Sequence, residues 1–324
     1  MPLLEVKGLR TYFFTLRGVV KAVDNVSFTL ERGESLAIVG ESGSGKSTLG
    51  YSLIRLVPPP GRIVEGEILL DGTDITKLPE ERVRREIRWK RISMVFQGAL
   101  NALNPVKRIG DQIADAILAH RDVTKKEALE RAAELLKSVG IDPRRINNYP
   151  HEFSGGMKQR VVIAMALALD PDIVIADEPT TALDVVVQAQ ILNLLKRLKQ
   201  ERKMSIILIT HDLSLVAEIA DKVAIMYAGK IVEIGPSEDI YTEPAHPYTR
   251  GLMASIPRIG GKKELYWIPG SPPDLRSPPP GCRFYPRCQY VMDVCKVKEP
   301  PYYKVGNSLV ACWLYEKRSG GGGS

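Results

Sequence analysis

Long apolar runs are what this 324-residue chain most plainly lacks. Its longest candidate, VVIAMALAL at Val161–Leu169, falls far short of the roughly 18 residues that a membrane helix needs. Any membrane role is therefore expected to come through partners. No signal-peptide pattern opens the chain either, since Met1 leads almost at once into LLEVKGL, and a cytosolic protein is expected. A long basic run is also missing. The net charge is +7, but 45 Lys and Arg are interspersed with 38 Asp and Glu. That pattern suits a solvated surface near anionic lipid or a charged partner, and no nucleic-acid partner is expected. Cysteine is absent until residue 282, after which four appear. Internal repeats are absent as well. The terminal SGGGGS, Ser319–Ser324, reads as an engineered linker and takes no part in the fold.

What remains is an ordinary globular composition, 44% apolar and 26% charged, long enough for one large domain and an appendage. Short apolar runs alternate with helical patterns, which points to an α/β core. SLAIVG (Ser35–Gly40), DIVIADE (Asp172–Glu178) and SIILITH (Ser205–His211) read as buried parallel strands. Each turns polar at its C-terminal end, where open α/β sheets bind ligands. LLEVKGL, VSFTLERG and GEILLDG alternate in polarity and predict a small antiparallel sheet. Between Gln97 and Ser154 the pattern is helical. Thr124 and Glu127 form a capping box, Leu129, Ala132, Leu136 and Val139 line one face, and Gly140 ends the helix. GSPPDLRSPPPG (Gly270–Gly281) can be neither helix nor central strand, so it marks a boundary or a rigid connector.

GESGSGKST, Gly40–Thr48, fits G-x-x-x-x-G-K-[ST] between a strand and a helix. Gly40, Gly43 and Gly45 free the backbone N–H groups to face phosphate oxygens, and the helix N-terminus adds partial positive charge. The whole loop, Ser42, Ser44 and Thr48 included, is a candidate ATP site. Lys46 would reach the β- and γ-phosphates and Ser47 would ligate Mg²⁺. At the end of a strand, Asp177 is placed to hold the Mg²⁺ shell, and Glu178 to polarise an attacking water. His211 and Gln97 stand at two other strand ends. A lone histidine is more often structural, but His211 is placed to bond the γ-phosphate. The Gln97 carboxamide could approach Mg²⁺ and the water. A second phosphate-type loop, FSGGMKQR at Phe153–Arg160, opens another helix and needs its own explanation.

Five ordered elements resemble the ATP-binding cassette (ABC) ATPases: GESGSGKST, VFQ (Val95–Gln97), FSGGMKQR, IVIADEPTTALD (Ile173–Asp184) and LITHD (Leu208–Asp212). The resemblance implies a P-loop NTPase fold of α/β class. It has an antiparallel β subdomain, a helical subdomain at about 98–165, and a nucleotide-binding domain over 1–241. It implies that two cassettes pair head to tail, so that Ser154, Gly155 and Gly156 grip the γ-phosphate of a nucleotide on a second chain. Phe153 and Met157 depart from the commonest signature, which has Leu and Gln there. The resemblance further matches Asp184 to a residue at the dimer seam and Phe13 to the aromatic that stacks on adenine, with Tyr12 as fallback. Packing within the small sheet is the competing reading for both aromatics. GALNALNP (Gly98–Pro105) would lie near the groove that receives a coupling helix from a membrane subunit.

Cys282, Cys288, Cys295 and Cys312 follow C-x₅-C-x₆-C-x₁₆-C spacing. In a cytosolic protein four thiols suit a metal better than disulfides. Tight C-x₂₋₄-C pairs typical of Zn²⁺ are absent, which leans toward [4Fe–4S], with zinc second and disulfides third. HPYTRGL (His246–Leu252), IPGSPPDL (Ile268–Leu275) and PPPGCRFYPRC (Pro278–Cys288) resemble the C-terminal extension of oligopeptide/dipeptide importer ATPases. That resemblance implies a small Cys-rich extension over 242–318 carrying a cysteine-ligated [4Fe–4S] cluster, and makes His246 an ordinary motif residue. The implied function is ATP hydrolysis that powers uptake of di- or oligopeptides, or of oligosaccharides in the alternative reading. The implied partners are a second, non-identical ABC ATPase, two transmembrane permease subunits and an extracellular solute-binding protein, with the chain peripheral on the cytoplasmic face of the cell membrane. A DNA-repair or chromosome ATPase would carry a long coiled coil between Gln97 and Ser154, and residues 98–153 leave no room for one.

Overall fold

A five-residue strand with every side chain buried, Ser35–Val39, sets the first functional loop. The computed structural model describes residues 1–98, 102–256 and 268–316. Residues 99–101 of GALNALNP and the Gly/Ser terminus lie outside the described residues. In chain order the strands are β1 Leu4–Thr15, β2 Gly18–Leu30, β3 Ser35–Val39, β4 Gly61–Leu70, β5 Thr73–Asp74 and β6 Ile92–Val95. They continue as β7 Ile173–Asp177, β8 Ser205–Thr210, β9 Lys222–Tyr227, β10 Lys230–Pro236, β11 Tyr302–Val305 and β12 Ser308–Ala311. The chain divides into two units: residues 1–30, 35–74 and 210–324 in the first, and residues 31–34 and 75–209 in the second.

In the first unit β2, β1, β4 and β5 form the expected antiparallel sheet, in that order. The alternating polarity of β1 explains it. Leu4 and Val6 are buried and sit opposite Leu30 and Phe28 on one side and Leu70 and Ile68 on the other. β3 pairs in parallel with β9, which turns back into β10. β12 then adds antiparallel to β10, and β11 to β12. Residues far into the C-terminal segment thus complete a sheet that begins with β3. Among the described residues no helix or strand falls within the Pro-rich Gly270–Gly281, as its composition predicts.

In the second unit β6, β7 and β8 are parallel, and every residue of β7 and β8 is buried. That is the pattern of parallel strands covered on both faces. Helices at Ile109–Leu118 and Lys125–Ser138 account for the helical pattern between Gln97 and Ser154, and helices at Gly155–Ala166 and Val185–Arg202 follow it. The capping box is present. The Glu127 N–H donates to Thr124 Oγ1 at 3.2 Å, and the Thr124 N–H to the Glu127 carboxylate at 2.7 Å. Ala132, Leu136 and Val139 are buried as expected. Leu129 is only half-buried, because the packed stripe runs instead through Ala128, Ala132, Leu135, Leu136 and Val139. That stripe follows i, i+4 and i+7 spacing from Ala128. Gly140 ends the helix at φ +77°.

Candidate nucleotide site

The first unit carries the Gly40–Thr48 loop, from the end of β3 into the Lys46–Leu53 helix. Gly45 caps that helix at φ +101°, and a Cβ there would stand 2.0 Å from the Ala22 carbonyl oxygen. Only glycine fits a turn that is both left-handed and pressed against backbone. Lys46 is buried, and its Nζ donates to the carbonyls of Gly40 at 2.8 Å and Glu41 at 3.0 Å. The ammonium is therefore held inside its own loop by backbone carbonyls. Ser44 Oγ is buried and has no hydrogen-bond partner among the described residues. A buried hydroxyl without a partner, in a loop backed by a helix N-terminus, fits a phosphate. Ser42 and Gly43 are exposed, and Ser47 and Thr48 half-buried. His211, also in this unit, is exposed.

Of the two aromatics offered for adenine, Tyr12 is tied down: its hydroxyl donates to Asp24 at 2.7 Å, and burial together with that bond pushes its pKa up to about 12. Phe13 is half-buried, and its ring crowds Gly61, where a Cβ would lie 2.6 Å away.

The second unit holds the carboxylates. β7 ends on Asp177, which is fully buried. Glu178 follows at φ +46°, a turn that swings its side chain off the strand direction. Its N–H donates to the Ile209 carbonyl at 2.8 Å. Gln97 Nε2 donates to Glu178 Oε2 at 2.9 Å, and Thr181 Oγ1 donates to the same oxygen at 3.0 Å. Gln97 and Glu178, 81 residues apart, are thus brought together as the chemistry requires. Thr181 is a supporting residue that the sequence reading missed, although its i+3 hydroxyl was a usable signal.

Ser154 caps the Gly155–Ala166 helix, its Oγ accepting from the Met157 N–H at 3.4 Å. Ser154 and Gly155 are exposed. A Cβ at Gly156 would meet Val187 at 2.6 Å, so this glycine serves a close helix approach. Asp184 is exposed and caps the Val185–Arg202 helix, accepting from the Val187 N–H at 2.9 Å.

All four cysteines are free thiols, with Cys295 and Cys312 buried and Cys282 and Cys288 half-buried. The Cys282 N–H donates to the Cys295 carbonyl at 2.8 Å. Burial, and then negative charge at the other three sulfurs, pushes the Cys282 thiol up to about 12. Burial and the charges at Cys288 and Cys295 push Cys312 up to about 11. The sulfurs therefore sense one another. Even so, no group of three or more His, Cys, Asp or Glu among the described residues has the geometry to hold a metal ion. His246 is buried and caps the Pro247–Ala254 helix through Nδ1, which accepts from the Tyr248 N–H at 3.0 Å.

No helix among the described residues is long and apolar enough to cross a membrane. The family description "ABC transporter" matches residues 23–181, and "Oligopeptide/dipeptide transporter, C-terminal region" matches 232–295. The chain is 51% identical over 318 residues to the oligopeptide transport ATP-binding protein OppD of Bacillus subtilis, covering 96% of this chain and 88% of that one. It is 50% identical over 321 residues to the dipeptide transport ATP-binding protein DppD of the same organism, covering 98% and 96%. Among solved structures, the dimeric bacterial ABC transporter cassette MJ0796 superposes with a TM-score of 0.64 at 30% identity, over 72% of this chain and 98% of that one. A second structure of that cassette, bound to ADP and Pi after hydrolysis, gives a TM-score of 0.63 at 30% identity over the same shares. Matches of this identity over nearly the full length fix the family: the chain belongs to the ABC ATPases, in the group of oligopeptide and dipeptide transport ATP-binding proteins.

Proposed function

We propose that this ATPase powers a multi-subunit importer of di- or oligopeptides, working as one of two paired cassettes. The observation that carries the pairing is the exposure of Ser154 and Gly155 at the start of a helix, a phosphate-type loop turned to solvent. The proposed grip has two sources. Lys46 and the N–H groups of Gly40–Thr48 take the triphosphate on one chain, and Ser154, Gly155 and Gly156 of another cassette close over its γ-phosphate. Phe13 is the proposed adenine platform, and Asp184 lies in the proposed seam.

Glu178 orients the attacking water and draws its proton, held in place by Gln97 and Thr181. His211 contacts the γ-phosphate. These groups act by position and charge. Ser47, Gln97 and Asp177 supply hard oxygen donors of the kind Mg²⁺ takes. When bound, the ion neutralises charge on the phosphate oxygens. Loss of the γ-phosphate removes the contacts that join the chains, and the pair opens.

Residues 1–241 form the nucleotide-binding domain in this reading, with the helical subdomain at about 98–165, and 242–318 the extension. Its four thiols suit a [4Fe–4S] centre better than zinc. What supports that reading is the wide spacing of the cysteines along the chain, without tight C-x₂₋₄-C pairs. The centre would hold together a segment poor in core. The remaining partners are a second, non-identical cassette, two permeases that place the chain on the cytoplasmic membrane face, and an extracellular binding protein.

The pairing is tested by adding ATP to the Glu178→Gln chain with its partner cassette and measuring mass by light scattering. A stable pair that Ser154→Arg abolishes is expected. A pair indifferent to Ser154→Arg overturns the trans grip.

A further inference from the structure

Glu41 is the second residue of the phosphate loop, and the mechanism gives it no task. Yet Arg287, 246 residues away, holds its carboxylate in a two-pronged ion pair. Nη1 donates to Oε2 at 2.8 Å and Nη2 to Oε1 at 3.0 Å. The Arg287 side chain is 5% exposed and that of Glu41 26%. Arg287 is fixed from behind as well. Its Nε donates to the Pro269 carbonyl at 2.8 Å, and its Nη1 to the Tyr227 hydroxyl at 3.3 Å. The Glu41 backbone joins the same junction. Its N–H donates to the Tyr248 hydroxyl at 3.0 Å, and its carbonyl accepts from Lys46 Nζ at 3.0 Å and from the Ser44 N–H at 3.2 Å. One loop residue therefore touches both the lysine that receives phosphate and an arginine of the C-terminal segment.

A second leg runs alongside. Arg283 pairs with Asp24 and donates to the Ala228 carbonyl. The next residue, Gly229, donates its N–H to the Ser44 carbonyl at 2.8 Å. Between the two arginines Phe284 packs on Tyr227 and Tyr248, with ring centroids 5.3 and 5.4 Å apart. A planar fork locked to a carboxylate and backed by rings packed edge-on and tilted resists rotation better than a single bond.

We propose that Arg287 is a positioning residue for ATP binding: through its pair with Glu41, the C-terminal segment holds the phosphate loop in the shape that receives the triphosphate, so the condition of that segment sets nucleotide affinity. The inference rests on Gly40–Thr48 being the phosphate loop. The physical reason is preorganisation, since a loop already ordered loses less freedom on binding.

The test uses the full-length chain, a fluorescent ATP analogue with Mg²⁺, and hydrogen exchange of the Gly40–Thr48 amides without nucleotide. Arg287→Met should raise Kd about tenfold and speed exchange across the loop. Arg287→Lys should fall between, because a point charge cannot span both oxygens. Glu41→Gln leaves the other Arg287 contacts in place and decides the matter if Arg287→Met does not fold. Removing a carboxylate beside a triphosphate tightens binding by electrostatics alone, so weaker binding in Glu41→Gln supports positioning and tighter binding overturns it. The double variant should match Arg287→Met, and additive losses overturn the coupling. Lys46→Ala separates the two readings. Undiminished binding there refutes the phosphate loop itself. Lost binding there, with unchanged affinity and exchange at positions 41 and 287, refutes only the positioning role.

Discussion

Replacing Glu178 by Gln is the perturbation whose size the site fixes best. The carboxylate is anchored by two donors on one oxygen, Gln97 at 2.9 Å and Thr181 at 3.0 Å. The amide of Gln has the same shape, and its oxygen can accept both bonds, so the geometry should survive. What disappears is the ability to take a proton from water. A positioned general base contributes about 10²–10⁴ in rate, or about 3–5 kcal/mol of barrier. Turnover should fall by that factor. Kd for ATP should stay within about twofold, because no residue of the Gly40–Thr48 loop changes. Thr181→Val removes one of the two anchors and leaves the base. Thr181 is exposed, so solvent discounts the bond, and a loss of about fivefold is expected. The assay is phosphate release from the chain reconstituted with its partner cassette, with nucleotide affinity measured in parallel. Turnover of Glu178→Gln within about threefold of wild type would refute the assigned role, and so would a larger loss from Thr181→Val than from Glu178→Gln.

Chain purified without oxygen should be brown, with about four iron and four sulfide each, and colour should be lost in Cys282→Ser. Colourless protein with one zinc overturns the cluster. Burial, then the Arg250 charge, holds His246 down to about 3 against its ordinary 6.5. The unfolded chain therefore binds a proton between those values that the folded chain refuses, and stability falls as pH drops from about 6.5 toward 3. His246→Asn, which keeps a cap acceptor, should flatten the pH dependence of urea unfolding over that window, and an unchanged slope counts against the assignment. Arg145→Ala should lower the stability of the full chain by about 1–2 kcal/mol, read from thermal unfolding, because it strips a cation from a buried aromatic face. No change would deny that contact any weight.

The strands and the helical caps were legible because each is written locally. β3, β7 and β8 announce themselves as short apolar runs, and Thr124 and Glu127 as a three-residue pattern. The loop at Gly40–Thr48 was equally plain, because its glycines and lysine must be consecutive to work. What the sequence hid is joined across distance. Nothing near Glu41 points to Arg287, and nothing near Gly229 points to Arg283. Such ion pairs are products of topology, here of β12 adding to β10 and carrying the C-terminal segment back over the sheet that begins at β3. Leu129 erred for a smaller reason. Several stripes satisfy helical spacing in Lys125–Ser138, and only packing selects the one through Ala128 and Leu135.

Distance also explains the two departures in the signature loop, Phe153 and Met157, which read in isolation as unrelated drift. The Arg145 guanidinium carbon lies 4.7 Å from the centroid of the buried Phe153 ring. The same side chain donates to Met157 Sδ at 3.4 Å and to the Glu152 carbonyl at 3.0 Å. One cation thus spans the loop from the residue before it to the first turn after it, leaving Ser154 and Gly155 exposed between its contacts. An aromatic face offers a guanidinium a cation–π contact that an aliphatic Leu cannot, and the Met157 sulfur adds a weak, polarisable acceptor. The departures therefore belong together: the Ser-Gly-Gly core keeps its place because its flanks share one partner.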